Sequence, residues 1–512
     1  MSDEYPFYVL VSVFAILLST CVWFLGSRLA MPPELRSIPT IGPSGPLFSY
    51  IGALRLLFDS DGVFQEGYKR QRNSLFKVAD FRSWVIIVSG PRYIDDIIKS
   101  QEEVLAFEAA IDEALHTLLP NIRRSHLHVP IIRHQLTREL NDSFPDIQDE
   151  VTTAFNELLA DKQDDMAVGW AKIPALDTAL EVVFRTAHRM FVGLPLCRDP
   201  DYKGFNMRFA VDISKAASLI RLCPPWLKPL VGRLFANAPE ALRRTVSHLR
   251  PLVEERRRNI ERYGKNYPGK PEDILSWFMD EVDGNNDEEK LTHLAFHILT
   301  VNFGAVYTIA MSFTQALYHL AACPEYVEPL REEIESVLSL EGSTKSATVE
   351  MRKLDSFLKE SQRLNGLAAA STYRKVLKPF TFWDGTVMPP GVILAVAAHS
   401  THLDDDIYQD AKKFDGFRFA NRKSDLDDTN LQNMVTPSLE FLPFGVGRHH
   451  CPGRFFTVVI LKVMMMHIIT NYDVKLEKEG QRPPDSWFST DNLPNSSAKV
   501  LLTKRKSQGH GL

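Results

Sequence analysis

A lone cysteine in a glycine-rich stretch places the strongest constraint on this chain. Cys451 lies within Phe444–Gly453, between a loop-like run and a strongly apolar segment. Pro452 suits the first position of a helix, so the sulfur is expected at the positive end of that helix, where a thiolate is favoured. Structural zinc requires four ligands, and no second cysteine lies nearby. The stretch therefore favours a single thiolate ligand, such as the axial ligand of a haem iron.

The composition fits a large packed protein in a reducing compartment. The chain has 512 residues, is 45% hydrophobic and carries a net charge of −5. Its five cysteines have no paired spacing, which argues against a disulfide framework. The mild charge gives no indication of a nucleic-acid partner.

The N-terminus predicts a membrane anchor. Residues 5–27 contain no charge, and about 20 apolar residues are enough to cross a bilayer. Acidic residues precede this run and Arg28 and Arg36 follow it, so the positive-inside rule places the body in the cytosol. A cleaved signal peptide is the alternative, although its apolar core is usually only ~7–15 residues long. The expected organisation is an anchor at 1–29, a linker rich in proline and glycine at 30–50, a catalytic domain at 51–503 and a flexible tail at 504–512.

Helical patterning dominates the body of the chain. Two strands are predicted at 75–81 and 84–88, and helical spacing then continues almost without strands to Gly342. The longest helix is expected from the acidic turn at 287–289 to Cys323, and it belongs in the core because it is apolar on most faces. A second membrane span is the alternative for this segment. The sequence thus predicts a mostly α protein with small β-sheets.

A pair of opposite charges on a later helix forms a second motif. Glu360 and Arg363 lie one turn apart, and Arg418 follows in a Phe-Arg-Phe run. Taken alone, a glutamate and an arginine at this spacing are usually an exposed ion pair that contributes about 0.2–0.5 kcal/mol. The pair becomes informative because it precedes the Cys451 stretch along the chain, so the motifs can be compared together.

In that order, the motifs resemble the haem-thiolate monooxygenases of the cytochrome P450 superfamily over nearly the full chain. The family pattern Phe-x-x-Gly-x-Arg-x-Cys-x-Gly matches at Phe444, Gly447, Cys451 and Gly453, and its arginine falls on His449. The resemblance implies the cytochrome P450 fold after one N-terminal transmembrane helix, with Cys451 as the axial ligand of haem b. The alternative for Cys451 is a small buried apolar residue.

The resemblance assigns structural roles to the charged residues. It implies that Glu360, Arg363 and Arg418 form a buried network that holds the haem-binding loop. His449 would pair with a haem propionate in place of the usual arginine, as a weaker donor. Arg133 and Arg374 are further propionate candidates, because buried carboxylates need cationic or hydrogen-bonding partners. Either arginine could instead lie on the surface.

A third family motif falls on the central helix. Gly304 and Ala305 would leave room for dioxygen, and the Thr308 hydroxyl would hydrogen-bond the bound oxygen. The usual acid is replaced by Tyr307, whose pKa near ~10 makes it a poor proton source, so ordered water has to carry more of the proton delivery. The alternative is a mid-helix threonine that bonds its own backbone.

The resemblance also implies partners and a location. Electrons would come from an NADPH-cytochrome P450 reductase, with cytochrome b5 as a further partner, at the endoplasmic reticulum membrane with the catalytic domain in the cytosol. Arg448, Arg454 and Lys462 are candidates for a basic docking face, although scattered surface charges are the more ordinary explanation.

Four runs of the chain are Gly42–Pro46, Leu136–Leu140, Phe414–Phe419 and Gly447–Phe456. These runs look like those of fungal enzymes similar to ent-kaurene oxidase, which act mostly on terpenoids. The apolar residues Phe303, Ala305, Leu367–Ala370 and those of Phe107–Leu119 would suit a bulky apolar substrate such as a di- or triterpenoid. Two other classes stay open: a haem-thiolate isomerase or lyase that needs no reductase, and a membrane-anchored lipid-binding scaffold without haem.

Overall fold

The computed structural model describes residues 19, 26 and 31–505, apart from 82, 112–125, 222, 225, 236, 283, 285 and 422–432. The predicted anchor lies almost entirely outside the described residues, as does most of the predicted tail. Both therefore stay predictions.

Apart from short 3-10 turns, the described chain has seventeen helical segments, numbered in chain order. They are α1 (Ser49–Phe58), α2 (Ser60–Arg70), α3 (Pro91–Lys99), α4 (His128–Pro130, continued by a π-helical Ile131–Leu136 and by Thr137–Glu139), α5 (Phe144–Leu158), α6 (Gln163–Val168), α7 (Ala175–Phe191), α8 (Pro200–Arg221), α9 (Lys228–Phe235), α10 (Ala238–Tyr263), α11 (Ile274–Glu281), α12 (Asp287–Ala322), α13 (Val327–Glu341), α14 (Lys345–Glu350), α15 (Arg352–Leu364), α16 (Ala398–His402) and α17 (Arg454–Asn471).

Thirteen short strands form four sheets in the described chain. The strands are β1 (Thr40–Ile41), β2 (Leu75–Ala79), β3 (Trp84–Val88), β4 (Leu105–Ala106), β5 (Ala171–Pro174), β6 (Ser371–Val376), β7 (Phe380–Thr381), β8 (Val387–Met388), β9 (Ile393–Val396), β10 (Tyr472–Leu476), β11 (Ser486–Phe488), β12 (Asp491–Leu493) and β13 (Lys499–Lys504). The largest sheet has the order β1-β2-β3-β9-β6-β4, and the second has the order β10-β13-β5. The predicted fold class, mostly α with small sheets, is confirmed.

The 36-residue helix α12 is the centre of the core and packs against α7, α8, α10, α15 and α17. Asn286 caps its first turn by accepting from the Glu289 backbone N–H at 2.9 Å. Among the described helices, α12 and α17 are long and apolar enough to cross a membrane, but 61% and 67% of their apolar windows are buried inside the protein. The prediction of a core helix at 287–323 is confirmed.

The stretch expected to be a linker, 30–50, packs against the domain in its described part. Leu35, Ile38 and Ile41 are buried, and β1 pairs in parallel with β2. The burial of these three apolar side chains holds the proline-rich segment against the large sheet. This is more contact than a proline- and glycine-rich run predicts.

Candidate active site

The Cys451 loop closes on itself before α17 begins. The Cys451 backbone N–H donates to the Phe444 carbonyl oxygen at 2.8 Å. Gly445 and Gly447 have φ values of +67° and +77°, which L side chains rarely adopt, and a Cβ at Gly447 would lie 2.9 Å from Ile98 Cγ2. The predicted helix start at Pro452 is wrong, because Pro452 lies in a turn and α17 begins at Arg454. The loop hydrogen bond keeps the chain in a turn until Gly453.

The surroundings of the Cys451 sulfur act on its pKa in opposite directions. Burial raises the pKa of the thiol, whereas a hydrogen bond from the Gly453 backbone N–H and the charge of Arg454 lower it in part. The net direction is upward, so the helix start alone does not produce the thiolate expected from the sequence. A coordinated metal ion removes the proton from a thiol outright. A metal bound at Cys451 would therefore supply the deprotonation that the loop alone does not favour.

Glu360, Arg363 and Arg418 meet in the interior. Arg363 Nε and Nη2 donate to the two Glu360 carboxylate oxygens at 2.7 and 2.8 Å, and both side chains are 0% exposed. Arg418 Nε donates to Glu360 Oε1 at 3.0 Å. Because buried charges need partners, three such side chains hold their segments in one arrangement.

This charge network reaches the cysteine loop through a histidine. Arg363 also donates to the carbonyl oxygen of His402. The His402 Nε2 accepts from the Leu442 backbone N–H at 3.0 Å, two residues before Phe444. Helix α15 is thus connected to the start of the Cys451 loop by hydrogen bonds.

One cavity of about 830 Å³ lies between this loop and α12. Gly304 and Thr308 are exposed to it although the helix runs through the core, and Cys451 lines the opposite wall. A Cβ placed on Gly304 would meet nothing within 4 Å. The small residues of α12 therefore face open space across from the sulfur.

The Thr308 hydroxyl lies in this cavity but bonds its own helix. It donates to the carbonyl oxygens of Gly304 and Ala305, which are 3.0 and 3.1 Å away. This is the arrangement of the backbone-bonded alternative, and the hydroxyl oxygen is still free to accept a hydrogen bond. Burial, followed by the charges of Asp177 and Asp212, raises the pKa of Tyr307. Tyr307 therefore keeps its proton near neutral pH.

Two arginines at the cavity fit an anionic ligand. Arg374 is 2% exposed, and within the described residues its guanidinium forms no ion pair and donates to the Tyr373 carbonyl oxygen at 2.7 Å. Burial lowers the pKa of Arg374 to about 10. Arg133 Nη2 donates to the Arg448 carbonyl oxygen, while its buried Nε has no partner among the described atoms. These donors match the carboxylates of a haem placed against Cys451.

His449 lines the same cavity but already has a carboxylate partner. Its Nε2 lies 2.5 Å from Glu102 Oε2, and its ring stacks on Phe107 with centroids 5.2 Å apart. Burial and the charge of Arg374 lower the pKa of His449. The imidazole is thus held by Glu102, and pairing with a propionate would have to compete with this contact.

Arg374 offers a test of the haem contact. The variant Arg374→Gln is expected to release haem about tenfold faster, because a hydrogen bond to a charged group contributes about 1.5–3 kcal/mol. Transfer of haem to apomyoglobin measures the rate. Arg352→Gln is the matched control, since Arg352 is exposed at the start of α15. Equal rates for the two variants would contradict the contact.

Sequence reasoning missed several cavity residues and misplaced others. Ser312, Gln362 and His128 line the cavity without belonging to any motif used above. Leu367 lines it as expected, whereas Ala369 and Ala370 are buried in a separate apolar cluster. Residues 112–119 of the predicted lining lie outside the described residues. Ser312 follows Thr308 by one helical turn, and this spacing could have identified it as a cavity residue.

The comparisons with known proteins agree with this geometry. The family described as Cytochrome P450 matches residues 198–501. Cytochrome P450 monooxygenase 151 of Postia placenta is 41% identical over 92% of this chain and 95% of its own length. Cytochrome P450 monooxygenase CYP512U6 of Ganoderma lucidum is 33% identical over 92% of each chain.

A solved structure shows the same fold. The retinoic acid-bound cyanobacterial CYP120A1 covers 91% of this chain and 98% of its own, with a TM-score of 0.67 and 20% identity. At this identity the likeness concerns the fold alone. With the family match and the relatives above, it leads to one conclusion: this chain belongs to the cytochrome P450 family of haem-thiolate monooxygenases.

Proposed function

We propose that the protein binds haem b through Cys451 and oxidises an apolar substrate with O2 and electrons from an NADPH-cytochrome P450 reductase. The observation that carries this proposal is the pair Gly304 and Thr308, which faces the cavity across from Cys451. The bound haem supplies oxygen activation, which an axial thiolate favours. In the balanced reaction, R–H, O2, NADPH and H⁺ give R–OH, H2O and NADP⁺.

Different residues around the cavity hold the haem, shape the oxygen site and transfer protons. Arg133 and Arg374 hold the propionates, while Phe444 and the glycines of the loop shape the cysteine side. Ala305 and Gly304 keep the opposite wall open, and the Thr308 hydroxyl accepts and passes on protons. Glu360, Arg363 and Arg418 keep the loop in place for haem binding.

The substrate is proposed to be a di- or triterpenoid, or a steroid-like compound, of fungal secondary metabolism. Support comes from the apolar wall formed by Phe303, Leu367, Ile111 and Phe191, in a cavity whose volume of about 830 Å³ also has to hold the haem. The curated relatives reported above come from fungi. This apolar wall disfavours a charged group of the substrate against it, because burying a charge without a partner is costly.

The location is proposed to be the endoplasmic reticulum membrane, with residues 1–29 as a single-pass anchor, 51–503 as the cytosolic catalytic domain and 504–512 as a tail. Exposed apolar side chains support a membrane-facing surface: Phe48, Ile51, Leu54 and Phe58 lie on or next to α1, and Leu230 and Leu234 lie on α9.

The reductase is proposed to bind on the side of the Cys451 loop, with cytochrome b5 as a further electron donor. Lys462 takes no part in this surface: it is 4% exposed and pairs with Asp355 at 2.7 Å. Its assignment to a basic docking face was wrong. Arg448 and Arg454 each donate to backbone carbonyl groups near the loop.

Thr308 can be compared with a second threonine of the same helix. Thr308→Ala is expected to lower the product formed per NADPH about tenfold and to raise hydrogen peroxide release, because a positioned proton donor is lost. Thr292→Ala is the control, since Thr292 also donates to the carbonyl oxygen four residues before it but is half-buried near the start of the helix and does not line the cavity. Similar losses in both variants would assign the effect to the helix.

The proposed function is tested by supplying the full-length protein with reductase, NADPH and a panel of di- and triterpenes. A reduced, carbon monoxide-treated sample should show the red-shifted thiolate band, and product should form only with NADPH. Product without NADPH would instead support an isomerase or lyase. A sample without the band would exclude haem-thiolate chemistry.

A further inference from the structure

Four buried polar atoms without a partner belong to one region of the described chain, beside the C-terminal half of α12. They are Gln315 Nε2, Gln362 Oε1, Arg482 Nε and Asn492 Oδ1. Buried polar atoms in folded proteins almost always have a partner, and ordered water is the usual one when no protein group is near. Two of the four are donors and two are acceptors, so waters can satisfy all of them.

The inner end of this region opens on the cavity next to Thr308. Gln362 Nε2 donates to Ser312 Oγ at 3.0 Å, and Ser312 Oγ donates to the Thr308 carbonyl oxygen at 2.8 Å. Ser312 and Gln362 are 4% and 7% exposed and both line the cavity. The region therefore reaches the turn of α12 that carries the Thr308 hydroxyl.

The outer end lies near the surface. Arg482 Nη2 donates to Gln315 Oε1 and to Asp485 Oδ1, the latter at 2.9 Å. Asp485 Oδ2 accepts from Asn365 at 2.6 Å and from Asn492 at 3.3 Å. The residues on either side of Asp485, Pro484 and Ser486, are exposed. A proton that enters here passes a carboxylate held in place by three side chains, Arg482, Asn365 and Asn492.

The two ends meet across one helical turn. Ser312 and Gln315 are three residues apart on α12, so their side chains are neighbours on its surface. The unpartnered donor Gln315 Nε2 and the unpartnered acceptor Gln362 Oε1 are complementary to a water molecule, which accepts from the first and donates to the second. Water between these two atoms would join Asp485, through Arg482 and Gln315, to Gln362 and Ser312 at the cavity.

The chemistry of this site requires protons from another source. Tyr307 occupies the position of the family's usual acid, and the raised pKa of Tyr307 leaves it protonated near neutral pH. Each turnover nevertheless consumes two protons and two electrons for every O2 that gives one water and one R–OH. The two electrons come from NADPH through the reductase, and the protons have to cross the core from solvent.

We propose that Gln315, Gln362 and Ser312 hold a chain of ordered waters between Asp485 and Thr308, and that protons reach the Thr308 hydroxyl along it. This inference rests on the proposed monooxygenase function. The amide and hydroxyl groups orient the waters and carry no net charge themselves. Each proton taken up at the solvent end displaces one passed on at the cavity end, so every water is regenerated.

A crystal structure of the haem-loaded protein tests the waters directly. We expect an ordered water within hydrogen-bonding distance of both Gln315 Nε2 and Gln362 Oε1, and its loss in Gln315→Met and Gln362→Met, which keep the side-chain length. A dry gap in the wild-type protein would overturn the proposal, independently of any activity.

Coupling of NADPH oxidation to product tests the proton path. We expect Gln315→Met and Gln362→Met to lower the product formed per NADPH roughly tenfold. The remaining NADPH is consumed in the uncoupled reaction, in which O2, NADPH and H⁺ give H2O2 and NADP⁺. The reduced carbon monoxide band should stay at its wild-type height. The control is Gln148→Leu, whose amide oxygen accepts from Ser343 at an exposed site.

These experiments distinguish failure of the water path from failure of the proposed monooxygenase function. Wild-type coupling in both methionine variants would overturn the water path while leaving the proposed function intact. Wild-type protein without the carbon monoxide band or without NADPH-dependent product would overturn the proposed function itself. Loss of coupling in Gln148→Leu as well would assign the effect to general destabilisation and would also overturn the path.

Discussion

The variant Cys451→Ala is expected to lose the red-shifted band of the reduced carbon monoxide complex and all NADPH-dependent product formation. Cys451 is the cysteine that lines the cavity, and no other described cysteine does so. An alanine offers no sulfur to the iron, so electron donation from a thiolate is lost. Difference spectra of the purified variant, together with product analysis, measure the effect.

Cys323→Ala is the control for this experiment. Cys323 is also a free, half-buried cysteine, and burial also raises the pKa of its thiol. It directly follows the last residue of α12, far along the helix from Thr308. The control should keep both the band and the product. A band that persisted in Cys451→Ala would show that another side chain ligates the iron.

Much of the fold and of the cysteine loop could be predicted because their causes are local in sequence. The apolar periodicity of 287–323 and the acidic residues of its first turn predict a buried helix, and the structure contains one at Asp287–Ala322. Glu360 and Arg363 are placed on one helix face by their spacing alone. The glycines at 445 and 447 indicate a tight loop, and both have positive φ values.

What the sequence did not predict depends on contacts between distant segments. The hydrogen bond from Gln362 to Ser312 joins residues 50 positions apart, and no local spacing predicts it. The pairing of Thr40–Ile41 with β2 likewise comes from tertiary contact. Lys462 did carry a signal: it stands alone between apolar neighbours in an apolar helix, and such a charge is usually buried with a partner.

The charge network also has a large expected effect, on stability rather than on spectra. Glu360→Gln keeps the shape of the side chain but leaves the buried guanidinium of Arg363, and that of Arg418, without a carboxylate. Removing one partner of a buried ion pair costs about 3–5 kcal/mol of folding free energy. Urea unfolding followed by tryptophan fluorescence should show this loss, accompanied by a lower haem content because the Cys451 loop is less firmly held.

A second pair with the same residue types and spacing provides the control. Glu240 and Arg243 are also three residues apart on a helix and form an ion pair at 2.7 Å, but their side chains are 40% and 72% exposed. In Glu240→Gln, water replaces the lost partner, so the unfolding midpoint should not change measurably. If both glutamine variants shifted the midpoint equally, burial would not be the cause. If only Glu360→Gln shifted it while haem content stayed normal, the network would stabilise the fold without holding the haem loop. A change in both, confined to Glu360→Gln, is the result that the hydrogen bonds through His402 to Leu442 predict.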